Sequence, residues 1–302
     1  MPAAAPSGGM PFRIVGADLH LQSDQQPAAI TLLERVEAAI GDHGRLGVAF
    51  SGGVDSTVLL AVAARVLGSD QVVALLGVSP SLPASERRDA HALASSLGVE
   101  VVEVLTREDE LPGYRRNGPD RCFHCKSELF GRISEEVVTE HGLDAVAYGE
   151  NADDAARPDR PGSRAAAERG VLRPLAAAGL TKADVRELAR DLGLPNADKP
   201  AAPCLASRIP HFEEVTPAKL RQVEDAESAV RALGFSDVRV RHHGEVARVE
   251  LPANEIARAA SELREALIAG VKAAGFRFVT LDLGGIQSGA FTLPLVVRAS
   301  RD

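Results

Sequence analysis

A short apolar run at residues 46–50 ends directly in Ser51-Gly52-Gly53, and a helical pattern carrying Val58, Leu59 and Val62 opens behind it near Asp55. This junction constrains the fold most, because two glycines permit a tight turn that delivers a strand straight into a helix. The alternation continues on both sides. Ile30, Leu33, Val36 and Ile40 recur at helical spacing, 71–78 reads as a buried strand, and 84–97 as a helix closed by Gly98. A strand at 99–105, a helical stretch at 123–140 and a strand at 144–148, ending at Gly149-Glu150-Asn151, complete the series. Strands alternating with helices predict an α/β fold with a parallel sheet covered on both faces. Residues 151–174 are polar and read as a loop, 182–192 as a helix, and 195–210 as irregular, with four prolines. The pattern then changes: helix 217–233, strands 238–241 and 246–251 around His242-His243-Gly244, helix 255–274 and strand 276–283. We expect a flexible tail at 1–26, a nucleotide-binding domain at 27–200 and a smaller α+β domain at 201–302.

The glycine turn has the chemistry of an anion site. Its exposed N–H groups, the hydroxyls of Ser51, Ser56 and Thr57 and the following helix N-terminus can hold phosphate. Asp55 beside phosphate makes sense as a ligand to Mg²⁺. The lysine and spacing of a Walker A loop are missing. The segment Ser51-Gly52-Gly53-Val54-Asp55-Ser56 resembles the SGGxDS loop of N-type ATP pyrophosphatases, which adenylate a carbonyl-type oxygen and release pyrophosphate. The resemblance implies bound ATP and an adenine nucleotide alpha-hydrolase-like (PP-loop) fold.

Three cysteines need a separate account. The first 26 residues lack a basic start followed by an apolar core, so a cytoplasmic, reducing setting is expected, where structural disulfides are disfavoured. Cys122 and Cys125 lie one short turn apart at an expected helix start, and the helix end, Arg121 and Lys126 favour thiolates there. Cys204 stands in Pro203-Cys204-Leu205-Ala206-Ser207-Arg208-Ile209-Pro210, where prolines fix the backbone and Arg208 suits phosphate. Four readings fit: unrelated buried residues, zinc with His124, a redox pair, or an iron–sulfur cluster on three cysteines with one iron open to sulfide.

The pyrophosphatase loop, Cys122 and Cys125, Gly149-Glu150-Asn151-Ala152-Asp153-Asp154 and the Cys204 segment occur together and in order. Together they resemble the LarE family, ATP-dependent sulfur transferases that help build the nickel-pincer nucleotide cofactor of lactate racemase. The resemblance covers roughly residues 28 to 290. It implies that ATP adenylates a carboxylate of pyridinium-3,5-biscarboxylic acid mononucleotide and that sulfur replaces the AMP, giving a thiocarboxylate. Family members with one cysteine at the position of Cys204 sacrifice its sulfur. Members with three are associated with a [4Fe-4S] cluster that passes on sulfide from an outside source, so a cluster on Cys122, Cys125 and Cys204 is expected here.

Candidate substrate groups follow. On a strand, Arg239 and Arg241 face the same side about 7 Å apart, and with Arg248 they could clamp phosphate or carboxylate by bidentate bonds. A solvated strand face reads equally well from the residues alone; the resemblance favours the clamp. Glu150, Asn151, Asp153 and Asp154 follow a strand end, where open parallel sheets bind ligands. Ser207 and Arg208 are placed on the nucleotide, and Lys126 beside the acyl-phosphate intermediate. Glu224 and Glu227, one helical turn apart, read as a solvated face rather than a metal site.

Composition narrows the partners. The 302 residues are 45% hydrophobic, 25% charged and 4% aromatic, with a formal net charge of −8. The acidic balance and sparse aromatics disfavour a nucleic-acid partner, and the hydropathy pattern shows no membrane span. A homo-oligomer is expected. The competing readings are a tRNA-thiolating enzyme, an amide-forming ligase of the NAD- or GMP-synthetase kind, a nucleotide sensor without turnover, and a sacrificial Cys204 donor within the same family.

Overall fold

The computed structural model describes residues 26–157 and 161–287. Four apolar segments form one sheet: β1 (Leu46–Ala49), β2 (Val72–Val78), β3 (Glu100–Leu105) and β4 (Ala145–Tyr148). Their order is β3-β2-β1-β4, and every neighbouring pair is parallel. Numbering only helices of ten or more residues, α1 is Gln26–Ile40, α2 Val54–Leu67, α3 Ala84–Ser96, α4 Arg121–Arg132, α5 Lys182–Asp191, α6 Pro217–Arg231 and α7 Arg264–Ala273.

Side-chain alternation along β2 shows why the sheet needs cover on both sides. Val72, Ala74 and Leu76 enter a core shared with Val58, Leu59, Val62 and Leu188. Val73 and Leu75 point the other way, into a core built with Phe130, Ile133 and Val137. This is the expected α/β architecture.

A second sheet follows, with β5 (Arg239–His243) antiparallel to β6 (Val246–Glu250) and β7 (Phe278–Leu281) parallel to β6. Its core joins Val240, Ala247 and Val249 to Leu220, Val223 and Val230 of α6 and Leu267 and Val271 of α7. Tyr114, from the helical turn Pro112–Arg115, also enters this core, and Cys125 and Cys204 pack against it. On this separation of cores we propose the division at residue 200. Of the expected tail, residues 1–25 lie outside the described residues, and Gln26 already opens α1.

Three expected elements differ. The loop at 151–174 contains the helical turns Ala152–Ala155 and Pro161–Ala167, because Asn151 caps the first and buried Ala165 and Ala166 dock the second. The stretch after α4 widens into a π-turn at Ile133–Val137, where Ser134 Oγ donates to Phe130 O at 2.8 Å. The expected helix 255–274 breaks into Ile256–Ala260 and α7, and Ser261 Oγ bonds back to Ala257 O at 2.7 Å at the break. Among the described residues, no helix is long and apolar enough to cross a membrane.

Candidate active site

β2 and β4 flank β1, so the chain leaves the sheet in opposite directions from β1 and β4 and opens a crevice at their C-terminal ends. Ligands bind at such switch points. Ser51-Gly52-Gly53 leaves β1 there and Gly149-Glu150-Asn151 leaves β4 beside it. Gly52 has φ +71°, and a Cβ at Gly149 would stand 2.7 Å from the backbone of Asp55 and Ser56. Glycine at both positions lets the two turns meet.

Within the first turn, Ser56 Oγ and Thr57 Oγ1 each donate to Gly53 O at 3.0 Å, and Ser51 N donates to Ser56 Oγ at 3.3 Å. Asp55 is gripped from two sides: Asn151 Nδ2 donates to Oδ1 at 2.9 Å and Lys182 Nζ to Oδ2. Each carboxylate oxygen keeps a further lone pair, so Asp55 can still meet Mg²⁺. Asp153 accepts from Lys182 N at 2.8 Å, and Asp154 Oδ2 accepts from Asn151 Nδ2 at 3.2 Å. Buried Glu150 takes bonds from Ser163 Oγ and Arg173 Nη1. Lys126 Nζ lies 4.4 Å from the centre of the Tyr148 ring, at the end of β4. Burial, and then Glu150, push the Tyr148 phenol upward.

No sequence motif singles out Lys182 or Asn196. Asn196 Nδ2 donates to Gly52 O at 3.0 Å and Thr57 Oγ1 at 2.9 Å, from more than a hundred residues away. The cap of α5 is readable, since Thr181 and Asp184 form a reciprocal capping box. Its closeness to Asp55 is not.

The segments that carry the three cysteines meet: Cys125 and Cys204 pack against one apolar core, and Arg121, next to Cys122, donates to Ala206 O at 2.9 Å. All three are free thiols, Cys122 exposed and the other two half-buried. The Cys204 segment reaches the first domain through Leu205 N, which donates to Ser81 O at 2.9 Å. Ser81 Oγ in turn donates to buried Glu108 at 2.8 Å. Burial first, then Glu108 and the thiols of Cys204 and Cys122, hold the Cys125 thiol well above its ordinary range. The thiolate expectation therefore fails for Cys125 in the protein alone, because burial and its acidic neighbours outweigh the helix end and the nearby cations. His124 Nε2 lies 3.1 Å from Asp120 Oδ2.

Among the described residues, no three His, Cys, Asp or Glu side chains are set around a single metal ion. In a [4Fe-4S] cluster each cysteine binds a different iron, so its donors stand around a cube rather than one ion. Three free thiols on two segments that meet, with buried Arg121 between those segments, match that donor chemistry.

The arginines divide. Arg239 lines a cavity of about 230 Å³ together with Lys199, Arg208 and Arg231. Its contacts are long bonds to the backbone oxygens of Ala201 and Gln287, at 3.3 and 3.4 Å. Arg241, 3% exposed, makes a two-pronged bond to fully buried Glu250 at 3.0 and 2.8 Å. Arg248 pairs with Glu250 at 3.3 Å and with Asp282 at 2.8 Å. Arg239 thus faces the cavity, while Arg241 and Arg248 are held by carboxylates of the second sheet. Glu227 is no solvated residue: fully buried, it accepts from Arg208, Arg231 and the amide of Val240. Glu224 caps the start of α3 through Ala84 N at 2.6 Å. Ser207 Oγ accepts from Arg208 Nη1 at 3.0 Å.

Breaking the Arg241–Glu250 pair leaves the buried carboxylate with only its longer contact to Arg248. Arg241→Ala is expected to lower stability by about 3–5 kcal/mol, read as a lower midpoint in urea unfolding. A midpoint equal to wild type would show the pair to be immaterial.

Residues 29–124 match the asparagine synthase family. An uncharacterized protein of Synechocystis sp. is 43% identical over 258 residues, 85% of this chain and 95% of that protein. The pyridinium-3,5-bisthiocarboxylic acid mononucleotide synthase of Lactiplantibacillus plantarum is 37% identical over 252 residues, 83% of this chain and 90% of that one. A glutamine-hydrolyzing GMP synthase component from Methanopyrus kandleri is 28% identical over 211 residues, 66% of each chain.

Proposed function

The chain belongs to the LarE family, as an ATP-dependent enzyme, and from that premise we propose that it converts carboxylates of pyridinium-3,5-biscarboxylic acid mononucleotide to thiocarboxylates. A substrate carboxylate oxygen attacks the α-phosphorus of ATP, and the bond to the β-phosphate oxygen breaks to release pyrophosphate. Sulfide then attacks the acyl carbon of the adenylate and expels AMP. Ser51, Gly52, Gly53, Ser56 and Thr57 hold the leaving pyrophosphate, with Asp55 meeting it through Mg²⁺. Ser207 and Arg208 approach the nucleotide, Lys126 offsets charge on the acyl adenylate, and Glu150, Asn151 and Asp153 border the reacting end.

What supports this reading is three free cysteines on two chain segments that meet, in a chain that also carries a pyrophosphatase-type loop. An amide-forming ligase has no use for them. Cys122, Cys125 and Cys204 would hold a [4Fe-4S] cluster, which supplies an iron open to sulfide. The test is nucleotide analysis: AMP and pyrophosphate are expected in equal amounts, and ADP as the main product would overturn the assignment.

The cavity beside Arg239, lined by four basic residues and by Glu86 and Asp237, suits the phosphate and carboxylates of the substrate. Arg239→Ala is expected to raise KM for the nucleotide acid roughly 10- to 150-fold, the worth of a charge-assisted bond of about 1.5–3 kcal/mol. KM for ATP stays unchanged. Unaltered kinetics for the nucleotide acid would return Arg239 to a structural role.

A further inference from the structure

Arg121 opens α4 directly before Cys122, yet its side chain is buried, only 8% exposed. Nη1 donates to Asn117 Oδ1 at 2.6 Å and to Ala206 O at 2.9 Å. Both partners are neutral, and no carboxylate pairs with this guanidinium among the described residues. A buried charge without a counter-ion is costly, so this one calls for an anion beside it.

The same residue spans the two cysteine-bearing segments. Ala206 lies two positions past Cys204, in the helical turn Leu205–Arg208. Asn117, fully buried, carries Arg121 on its oxygen while its Nδ2 donates to Ile209 O at 3.2 Å and Pro210 O at 2.7 Å. Asn117 and Phe212 are the described non-glycine residues with positive φ, +55° and +68°, and Phe212 N donates to Asn117 O at 3.1 Å. Strained backbone of this kind persists where surrounding bonds over-determine it. Here those bonds fix the segment before Cys122 against the segment after Cys204.

We infer that Arg121 is a positioning residue for the three-cysteine site: it fixes the Cys122 and Cys204 segments at one spacing and supplies the positive charge that offsets the anionic group they hold. The inference rests on the proposed cluster. Outer partners of this type tune both retention and potential of a metal centre.

The test uses the full chain, reconstituted anaerobically with iron and sulfide, as wild type, Arg121→Gln and Arg121→Lys. Iron retained against a chelator and the reduction potential are the readouts. A rise of Tm with ATP confirms that each variant is folded. Arg121→Gln is expected to lose iron on the order of 10-fold more readily and to move the potential to more negative values, since a nearby positive charge favours the reduced state. Arg121→Lys keeps the potential near wild type and loses iron more readily, because the shorter lysine does not carry its nitrogen to the place of Nη1 between both partners. If Arg121→Gln shows no ATP response, Arg121→Lys decides by the same two readings. Wild-type retention and potential in the folded variants would overturn the inference alone. A wild-type chain that takes up no iron would overturn the cluster reading and this inference with it.

Discussion

Asp55→Ala is expected to abolish ATP turnover at every Mg²⁺ concentration. The carboxylate stands at the first turn of α2, between Asn151 on one oxygen and Lys182 on the other. That position joins three elements: the turn after β1, the turn after β4 and the start of α5. Mg²⁺ is held in phosphate-transfer sites by one or two carboxylates plus the phosphates themselves, so a single aspartate suffices here. In the proposed reaction, removing it takes away the metal's protein anchor, and it releases Lys182 from its partner. Metal and preorganised charge are each worth several kcal/mol in such reactions, so a loss on the order of 10³-fold or more follows. Pyrophosphate release measures it. Asp55→Asn keeps the shape and still loses the metal contact, so it is expected to fail as well. Wild-type activity at ordinary Mg²⁺ in either variant would show that Asp55 has no direct part in holding the ion.

Each single alanine replacement of Cys122, Cys125 or Cys204 is expected to remove both the broad visible absorption of the reconstituted protein and repeated turnover with added sulfide. Cys125 and Cys204 share one apolar environment with Tyr114, and Cys122 lies one turn of α4 before Cys125. In a site with three protein ligands, losing any one leaves a second iron unsupported, so the three variants behave alike. The sacrificial scheme makes a different forecast. It needs only Cys204, consumes each chain once and leaves dehydroalanine behind. A Cys122→Ala, Cys125→Ala double variant with full activity and a Cys204 that loses its sulfur would establish that scheme.

How far the sequence reaches depends on the range of the forces involved. Local signals are clear: the Gly52-Gly53 turn, the β2 and β3 runs and the Pro217 start of α6 follow from neighbouring residues. Asn151 beside Asp55 is within reach too, because strand ends converge in a parallel sheet. Lys182, Asn196 and Asn117 are not, since their roles come from contacts nearly a hundred residues or more away. The arginine pattern on β5 illustrates the same limit. Alternation puts Arg239 and Arg241 on one face, but only the pairing of Arg241 with Arg248 across the strands brings in Glu250. Glu227 escapes a sequence reading because a pair of acids on a helix looks solvated until Arg208 and Arg231 close over one of them.

The proposed reaction is ATP-driven delivery of sulfur from outside the chain to a carboxylate. It is tested most directly by supplying isotopically heavy sulfide with ATP, Mg²⁺ and the pyridinium dicarboxylate mononucleotide to the anaerobically reconstituted protein. Mass spectrometry then reads the nucleotide product and the intact chain together. The predicted result is a product carrying heavy sulfur in place of oxygen, one AMP per sulfur, more product than protein, and a chain of unchanged mass. Product with light sulfur, formed no more than once per chain and matched by the loss of the Cys204 sulfur, would contradict it.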